Sequence, residues 1–247
     1  MVTWRKRHFD SVVGVTEYPA GPNLSALAAV GKQIIYVTSP GFDDIGKVLS
    51  MISVDYETFD GRYDCDLLFL NCGTQDTVDH RSLTDFVERG GCLYASDLTS
   101  ALISLAFPHC FQFGGKGSSG DVQAEIVDDE LKSVIGEKVA ISFDMASWSV
   151  LKSSSGTTLV RAAQGTPYAG NPLMVEIDVG RGAVFYTCFH NKAQSSASET
   201  NLLKLLVLKQ IGASTHTSIA QVGHALGVNL AMLRTRKNRS RPPAPPT

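Results

Sequence analysis

Five cysteines are the first candidates for chemistry in this chain: Cys65, Cys72, Cys92, Cys110 and Cys188. Their number is odd, no CxxC pair occurs, and three of them lie inside apolar runs. We therefore expect buried, reduced thiols of the kind found in cytosolic proteins. A structural zinc site needs clustered Cys and His ligands, and the spacing along the sequence shows no such cluster. The sequence predicts no metal site.

Other motifs for ligand chemistry are also absent from the sequence. No Walker A loop, GxGxxG fingerprint or HExxH helix occurs, so we expect no cofactor. Ser39-Pro40-Gly41 follows a predicted strand and could accept an anion at the N-terminus of the next helix. Asp43 and Asp44 in the first turn of that helix argue against a phosphate. A small anionic or polar ligand stays among the expected partners.

Length and composition predict a folded domain around these residues. The 247 residues are 43% hydrophobic and 19% charged, and a chain of this length buries about 70–75% of its unfolded surface. No run of about 18 apolar residues predicts a membrane span. The basic N-terminus lacks the apolar stretch of a secretory signal. We expect one cytoplasmic domain with appendages and no membrane partner.

The first half of the chain alternates between two hydrophobic patterns. Short apolar runs that predict strands alternate with segments at helical spacing, in the order 33–38, 43–53, 66–71, 80–89, 92–95 and 98–107. Residues 56–59 predict an additional edge strand. This alternation is typical of βαβ units with right-handed crossovers. The predicted fold class is α/β, with a flavodoxin-like, doubly wound, mostly parallel sheet and helices on both faces.

The middle of the chain predicts a β-rich insertion. Residues 111–120 are rich in Gly and Ser and indicate a loop. Short strands are predicted after it, at 122–127, 139–143, 150–151, 158–162, 173–178 and 183–189. The last two strands predict a hairpin that closes on Gly180-Arg181-Gly182. Ser196 and Glu199 predict a capping box before an apolar helix over 201–211, which Gly212 ends.

The segment 218–236 has two interpretations. Its apolar residues recur at helical intervals, at Ile219, Val222, Leu226, Leu230 and Leu233. The favoured interpretation is one helix, or two short ones, packed on the domain or on a partner, where the stripe docks a protein surface or a second copy of the chain. The segment also resembles the helix-turn-helix of bacterial DNA-binding proteins. In that case 229–236 forms the recognition helix, and its nucleic-acid contacts are Asn229, Arg234, Arg236 and Lys237.

Charge is unevenly distributed along the chain. The net charge is −2, and the last 15 residues carry five cations and no acid, which leaves the rest of the chain near −7. Residues 237–247 are basic and rich in proline, so they predict a disordered tail that solubilises the chain or contacts nucleic acid or an acidic partner. We divide the chain into a lead-in over 1–31, an α/β domain over 32–212, a helical segment over 213–236 and this tail.

Three segments, in this order, resemble the class I glutamine amidotransferase-like superfamily, especially its trehalose-utilisation (ThuA-like) and biotin-ligase-N-terminal-like branches. They are LFLNCG at 68–73, RGGCLYASDLTSALI at 89–103 and GRGAVFYTCFHN at 180–191. The resemblance implies that the turn at Gly73 supplies an oxyanion-hole N–H. It also implies that the second segment forms the nucleophile elbow and that the third delivers the catalytic histidine.

Compared position by position, the resemblance implies a degenerate active site. The elbow cysteine of the family comes six residues after the double glycine, and here that position is Asp97. His190 matches the catalytic histidine, but Asn191 and Lys192 stand where active relatives have Pro and an orienting acid. The resemblance therefore implies no glutamine hydrolysis. It implies a non-catalytic binding or assembly module of a cytoplasmic complex, with a protein partner or self-association.

The sequence leaves three roles open for Asp97. As the first residue of a helix it is expected to be an N-cap that accepts an N–H from Thr99 or Ser100, and this role is favoured. It could instead bind a ligand at the carboxyl ends of the parallel strands, in a site made of Gly73, Asp97, Leu98 and His190. It could also be the ester-forming nucleophile of a hydrolase that uses His190 on a small ligand. Because the elbow cysteine and the orienting acid of the family are missing, His190 is expected to be a hydrogen-bonded structural histidine.

Overall fold

The computed structural model describes residues 28–73, 78–190 and 196–234. The strands are β1 Ile35–Val37, β2 Glu57–Thr58, β3 Leu67–Leu70, β4 Cys92–Ser96, β5 Phe111–Lys116, β6 Gly120–Ile126, β7 Lys138–Phe143, β8 Ser149–Ser154, β9 Thr157–Ala162, β10 Pro172–Val179 and β11 Gly182–Thr187. The α-helices are α1 Ile45–Met51, α2 His80–Glu88, α3 Ser100–Ala106, α4 Asp129–Ile135, α5 Ala197–Thr215 and α6 Ile219–Ala225. Turns of 3-10 helix lie at Asp97–Thr99 and Leu230–Leu233.

One nine-stranded sheet organises the fold, in the order β2-β1-β3-β4-β11-β10-β9-β6-β7. The first five strands are parallel and follow the flavodoxin-like order. The other four extend the sheet in antiparallel fashion. The predicted α/β class with a flavodoxin-like sheet is confirmed. So is the hairpin on 180–182, where Val179 pairs with Gly182.

Helices cover both faces of the parallel half of the sheet. Strands β3 and β4 are buried at every position, as their continuous apolar sequence predicts. Helix α1 packs against α5, and α2 packs against α3. Helix α5 is the central helix of its layer, and its leucines are buried around most of its circumference. Ser196 caps α5 by accepting the Glu199 N–H, which is one half of the predicted capping box. The other half does not form, because the Glu199 carboxylate accepts the Ser196 hydroxyl and the Ser142 N–H.

Two local predictions are wrong, and one helix was missed. The predicted loop over 111–120 contains strand β5, which pairs with β8 because Phe111 and Phe113 pack edge-on against the ring of Tyr186. Helix α4 was not predicted, although Asp128 caps it by accepting the Leu131 N–H. Helix α5 does not end at Gly212 but continues to Thr215, so the predicted domain boundary falls inside a helix. Its buried leucines outweigh the low helix propensity of one glycine.

The segment after α5 packs on its own domain. Ile219, Val222 and Leu233 are buried in the main core, and the 3-10 turn Leu230–Leu233 contacts α4 and α5. The apolar stripe is thus largely covered by this chain, and the prediction that it docks a partner or a second copy loses its basis. Within the described residues, the recognition helix predicted from 229 onward is wrong, because only that single 3-10 turn forms. Arg236, Lys237, the tail and residues 1–27 lie outside the described ranges.

This packing predicts that the C-terminal segment contributes to the stability of the domain. Ile219→Ala removes a side chain that is 2% exposed, so we expect a loss of about 2–4 kcal/mol in the free energy of unfolding. Met232→Ala is the control, because that side chain is 77% exposed and should change stability by less than about 0.5 kcal/mol. Urea denaturation of both variants measures the difference. Equal effects of the two variants would contradict this packing.

Candidate functional site

The candidate site lies at the carboxyl ends of the parallel strands β3, β4 and β11. Strand β4 ends at Ser96, and Asp97 turns the chain into a short 3-10 turn and then α3. The backbone of Asp97 has φ +39, a left-handed conformation that a non-glycine residue adopts only at a cost. The Tyr186 hydroxyl of β11 donates to its carbonyl oxygen at 2.8 Å. A strained strand-to-helix turn that bears a carboxylate therefore lies where the resemblance implies the elbow.

The Asp97 carboxylate does not cap the helix behind it. Its Oδ1 accepts the backbone N–H of Ser149, at the start of β8, at 2.8 Å, and α3 has no side-chain cap. The predicted N-cap role is thus wrong, because the left-handed elbow turns the side chain toward another strand. Asp97 instead joins the elbow to the β7–β8 connection across the site. The Ser100 and Ser149 hydroxyls add a second contact at 2.8 Å.

His190 faces Asp97 from the chain segment after β11. Its Nε2 lies 4.0 Å from Oδ2 of Asp97, and the two side chains are 9% and 7% exposed. This distance is too long for a hydrogen bond. The other ring nitrogen, Nδ1, is buried and has no hydrogen-bond partner among the described residues. The predicted role as a hydrogen-bonded structural histidine stays a prediction, because Nδ1 adds no support to it within this part of the chain. Asn191 and Lys192 lie outside the described residues.

Cys72 is the third member of the site, and the sequence prediction missed it. It follows β3, and its sulfur lies within 4.8 Å of ligand atoms of both Asp97 and His190. The three residues are separated by 25 and 93 positions in the chain, so no spacing motif could show the cluster. The fold thus brings together three side chains that the sequence spacing did not group, and the predicted absence of a metal site stays a prediction. The available signal was topological, since strands β3, β4 and β11 deliver their next residues to one edge of the sheet.

Burial dominates the electrostatics of this cluster. It raises the pKa of the Asp97 carboxyl above its ordinary range, although the Ser149 N–H and the neighbouring His190 oppose the rise. Burial also raises the pKa of the Cys72 thiol to about 12, against a hydrogen bond from the backbone N–H of Leu98. The negative charges of Asp97, Asp43 and Asp144 raise it further.

A cavity of about 130 Å³ opens beside the cluster. Asp97, Leu98 and His190 form one wall, and residues 142–148 of the β7–β8 connection form the other. Trp148 fixes that connection by stacking on Phe143, with ring centroids 4.1 Å apart. Glu199 of α5 accepts the backbone N–H of Ser142 in the same wall. Helix α5 thus supports the cavity from behind.

The remaining predicted site residues lie outside the cluster of Cys72, Asp97 and His190. Gly73 lies after β3 at φ +92, where an added Cβ would meet the ring of Phe42, and residues 74–77 after it are outside the described ranges. Asn229 accepts the Ala231 N–H at 3.0 Å and so caps the last 3-10 turn. Arg234 lines a separate surface pocket between α4 and α6. These two residues remain untested as nucleic-acid contacts.

Comparisons with known proteins address the fold. No family model matches the sequence, and no curated protein matches it. A solved structure assigned as a GMP synthase protein, from Thermoplasma acidophilum, is similar at 13% identity and a TM-score of 0.54, over 74% of this chain and 95% of that one. A glutamine amidotransferase from Thermotoga maritima has 7% identity and a TM-score of 0.47, over 81% of this chain and 93% of that one.

A β-galactosidase from Bacillus circulans sp. alkalophilus matches 76% of this chain at 10% identity, with a TM-score of 0.53. This chain spans only 32% of the β-galactosidase length. At such identities the likeness concerns the fold alone, and it supports the α/β architecture with a mostly parallel central sheet. Separately, no helix in the described part of the chain is both long and apolar enough to cross a membrane.

The support that Glu199 gives to the cavity wall predicts a pH dependence of stability. Burial raises the pKa of Glu199 above its ordinary 4.5. The protonated carboxyl therefore stabilises the fold fully below that value, and this contribution is lost as the pH rises through the folded-state pKa. Glu199→Gln should gain stability relative to wild type as the pH increases above 4.5. Urea denaturation at several pH values measures the difference, with Glu137→Gln at an exposed position as the control. Parallel curves for wild type and Glu199→Gln would contradict the buried role.

The thiols should be unreactive in the native protein. Burial raises the pKa values of Cys65, Cys72 and Cys188 to about 12, and Cys92 is also buried. We expect iodoacetamide to alkylate Cys72, Cys92 and Cys188 at least about a hundredfold more slowly than in denaturant. Half-buried Cys65 and Cys110 should also react more slowly before denaturation. Mass spectrometry of timed samples locates each adduct, and one hyper-reactive cysteine at 72 or 188 would contradict the expectation.

Proposed function

We propose that this chain is a binding domain that uses an amidotransferase-like fold and does not hydrolyse glutamine. One observation carries the proposal: the elbow holds a carboxylate, Asp97, whose Oδ1 is already engaged by the Ser149 N–H. Amide hydrolysis through a covalent intermediate needs an activated nucleophile beside a base. Asp97 occupies the position of that nucleophile, and its carboxylate instead binds the Ser149 N–H at the start of β8.

The cysteines near the elbow do not replace the missing thiol. A nucleophilic cysteine needs a lowered pKa and access to substrate. Cys72 is buried, and its pKa is raised to about 12. Cys188 is buried as well, and its sulfur donates to the Pro172 carbonyl at 3.5 Å. Both thiols are therefore protonated at neutral pH, which supports the non-catalytic proposal.

The cavity beside Asp97 and His190 is the proposed binding site. Its volume of about 130 Å³ suits an ion or a ligand of a few atoms. The negative charges of Asp97, Asp43 and Asp144 act on the Cys72 thiol and raise its pKa. We therefore propose a cationic or neutral polar ligand, and the anionic alternative is disfavoured. A cytoplasmic location and a protein partner belong to the same proposal, although the apolar stripe at 219–233 no longer supports the partner.

The other two candidate functions have less support. A hydrolase using Asp97 as an ester-forming nucleophile needs a carboxylate that a substrate can reach, and this side chain is 7% exposed. A DNA-binding role needs a recognition helix, and only one 3-10 turn forms after residue 229 in the described range. Any DNA affinity is expected to come from the basic residues near the C-terminus and to be weak, non-specific and salt-sensitive.

The proposal predicts no glutaminase activity. Ammonia release from glutamine should equal the buffer blank for the wild type and for Asp97→Ala. Asp97→Cys should restore little, because Lys192 occupies the position of the orienting acid in the resemblance. A coupled glutamate dehydrogenase assay measures the release. Activity above the blank that disappears in Asp97→Ala would overturn the non-catalytic proposal.

A further inference from the structure

We propose that Cys72, Asp97 and His190 bind a divalent transition-metal ion of the zinc class. This inference rests on the proposed binding function and names its ligand. The three residues come from three different strand ends and are all buried. They present a thiol sulfur, a carboxylate oxygen and an imidazole nitrogen to a common point.

The distances suit one shared ion better than direct contacts. The three ligand atoms lie within 4.8 Å of one another, and Asp97 Oδ2 and His190 Nε2 are 4.0 Å apart. Ligands of a tetrahedral zinc ion, at about 2.0–2.3 Å from the metal, are separated by roughly 3.3–3.7 Å. Side-chain shifts of about 1 Å or less bring the three atoms to that spacing. The present separation exceeds that of an Asp–His hydrogen bond.

The identity of the donors selects the metal class. Magnesium and calcium prefer sets of oxygen ligands, whereas thiolate and imidazole favour zinc and its first-row neighbours. Coordination transfers the Cys72 thiol proton to solvent, so that sulfur binds as thiolate and affinity increases with pH. The charges of Asp43 and Asp144 near this sulfur favour a cation.

Neighbouring groups already orient two of the three ligands. The Ser149 N–H holds Oδ1 of Asp97 at 2.8 Å, which leaves Oδ2 directed toward His190. The Leu98 N–H donates to the Cys72 sulfur, an interaction that favours the thiolate. Such outer contacts typically fix the ligands of a metal site. The fold thus holds Asp97 and Cys72 in place before an ion binds.

The imidazole of His190 closes the cluster on the side of the cavity. It is 9% exposed and lines the cavity, and its Nε2 lies 4.0 Å from Oδ2 of Asp97. With three protein ligands, a tetrahedral ion keeps a fourth position. The cavity beside Asp97 and His190 gives that position access to a water or a small ligand.

The experiment titrates the metal-free full chain with Zn²⁺ and, separately, with Co²⁺. We expect one Zn²⁺ per chain by metal analysis after dialysis, and a thiolate-to-cobalt charge-transfer band in the near-ultraviolet spectrum. Cys72→Ser and His190→Ala should each weaken Zn²⁺ binding at least about a hundredfold. Cys92→Ser and His80→Ala are the matched controls and should bind as the wild type does. Cys92 is equally buried but lies at the opposite end of β4.

Each outcome decides the proposal. No stoichiometric Zn²⁺ binding by the wild type, or equal affinity in the cluster variants and the controls, would overturn it. A Co²⁺ complex without the thiolate band would overturn it even if Cys72→Ser fails to fold, because that measurement uses the wild type alone. The glutaminase assay tests the non-catalytic proposal and does not depend on metal binding. A failed metal titration therefore overturns the zinc site without affecting the result on glutamine hydrolysis.

Discussion

The site depends on the way Asp97 is held between two strands. Its backbone has φ +39, a conformation that costs about 1–3 kcal/mol and persists only where the surroundings enforce it. Tyr186 of β11 binds its carbonyl, and the Ser149 N–H of β8 binds its carboxylate. These two bonds offset the strain of the elbow. They also tie the parallel half of the sheet to the β7–β8 connection that walls the cavity.

This constraint explains why the elbow is suited to ligation and poorly suited to nucleophilic attack. A nucleophile must be exposed and free to form a bond with substrate, whereas one oxygen of Asp97 is engaged and the side chain is buried. A buried carboxylate with one oxygen fixed is a good metal ligand, because its geometry is set in advance. Cys72 and His190 reach the same point because β3 and β11 flank β4 in the sheet.

The sequence predicted those parts of the fold that local pattern determines. The apolar runs of β3 and β4, the turn at 180–182 and the Ser196 cap all follow from nearest-neighbour chemistry. Strand β5 and the path of α5 through Gly212 depend on tertiary packing, which overrides glycine propensity. In the site, Asp97 and His190 were found through their places in the family motifs. Cys72 joins the site through the order of β3, β4 and β11 in the sheet, and the Ser149 contact joins residues far apart in the chain, so local sequence pattern showed neither.

Anomalous diffraction at the zinc absorption edge, from crystals of the full chain grown with Zn²⁺, tests this ligand set most directly. We expect one strong anomalous peak enclosed by Sγ of Cys72, Oδ2 of Asp97 and Nε2 of His190, with Oδ1 of Asp97 still bound to the Ser149 N–H. A map without a peak in that cluster would contradict the proposal that these three residues bind the ion. Such a result includes crystals in which zinc binds only at surface residues and crystals in which Asp97 takes another arrangement.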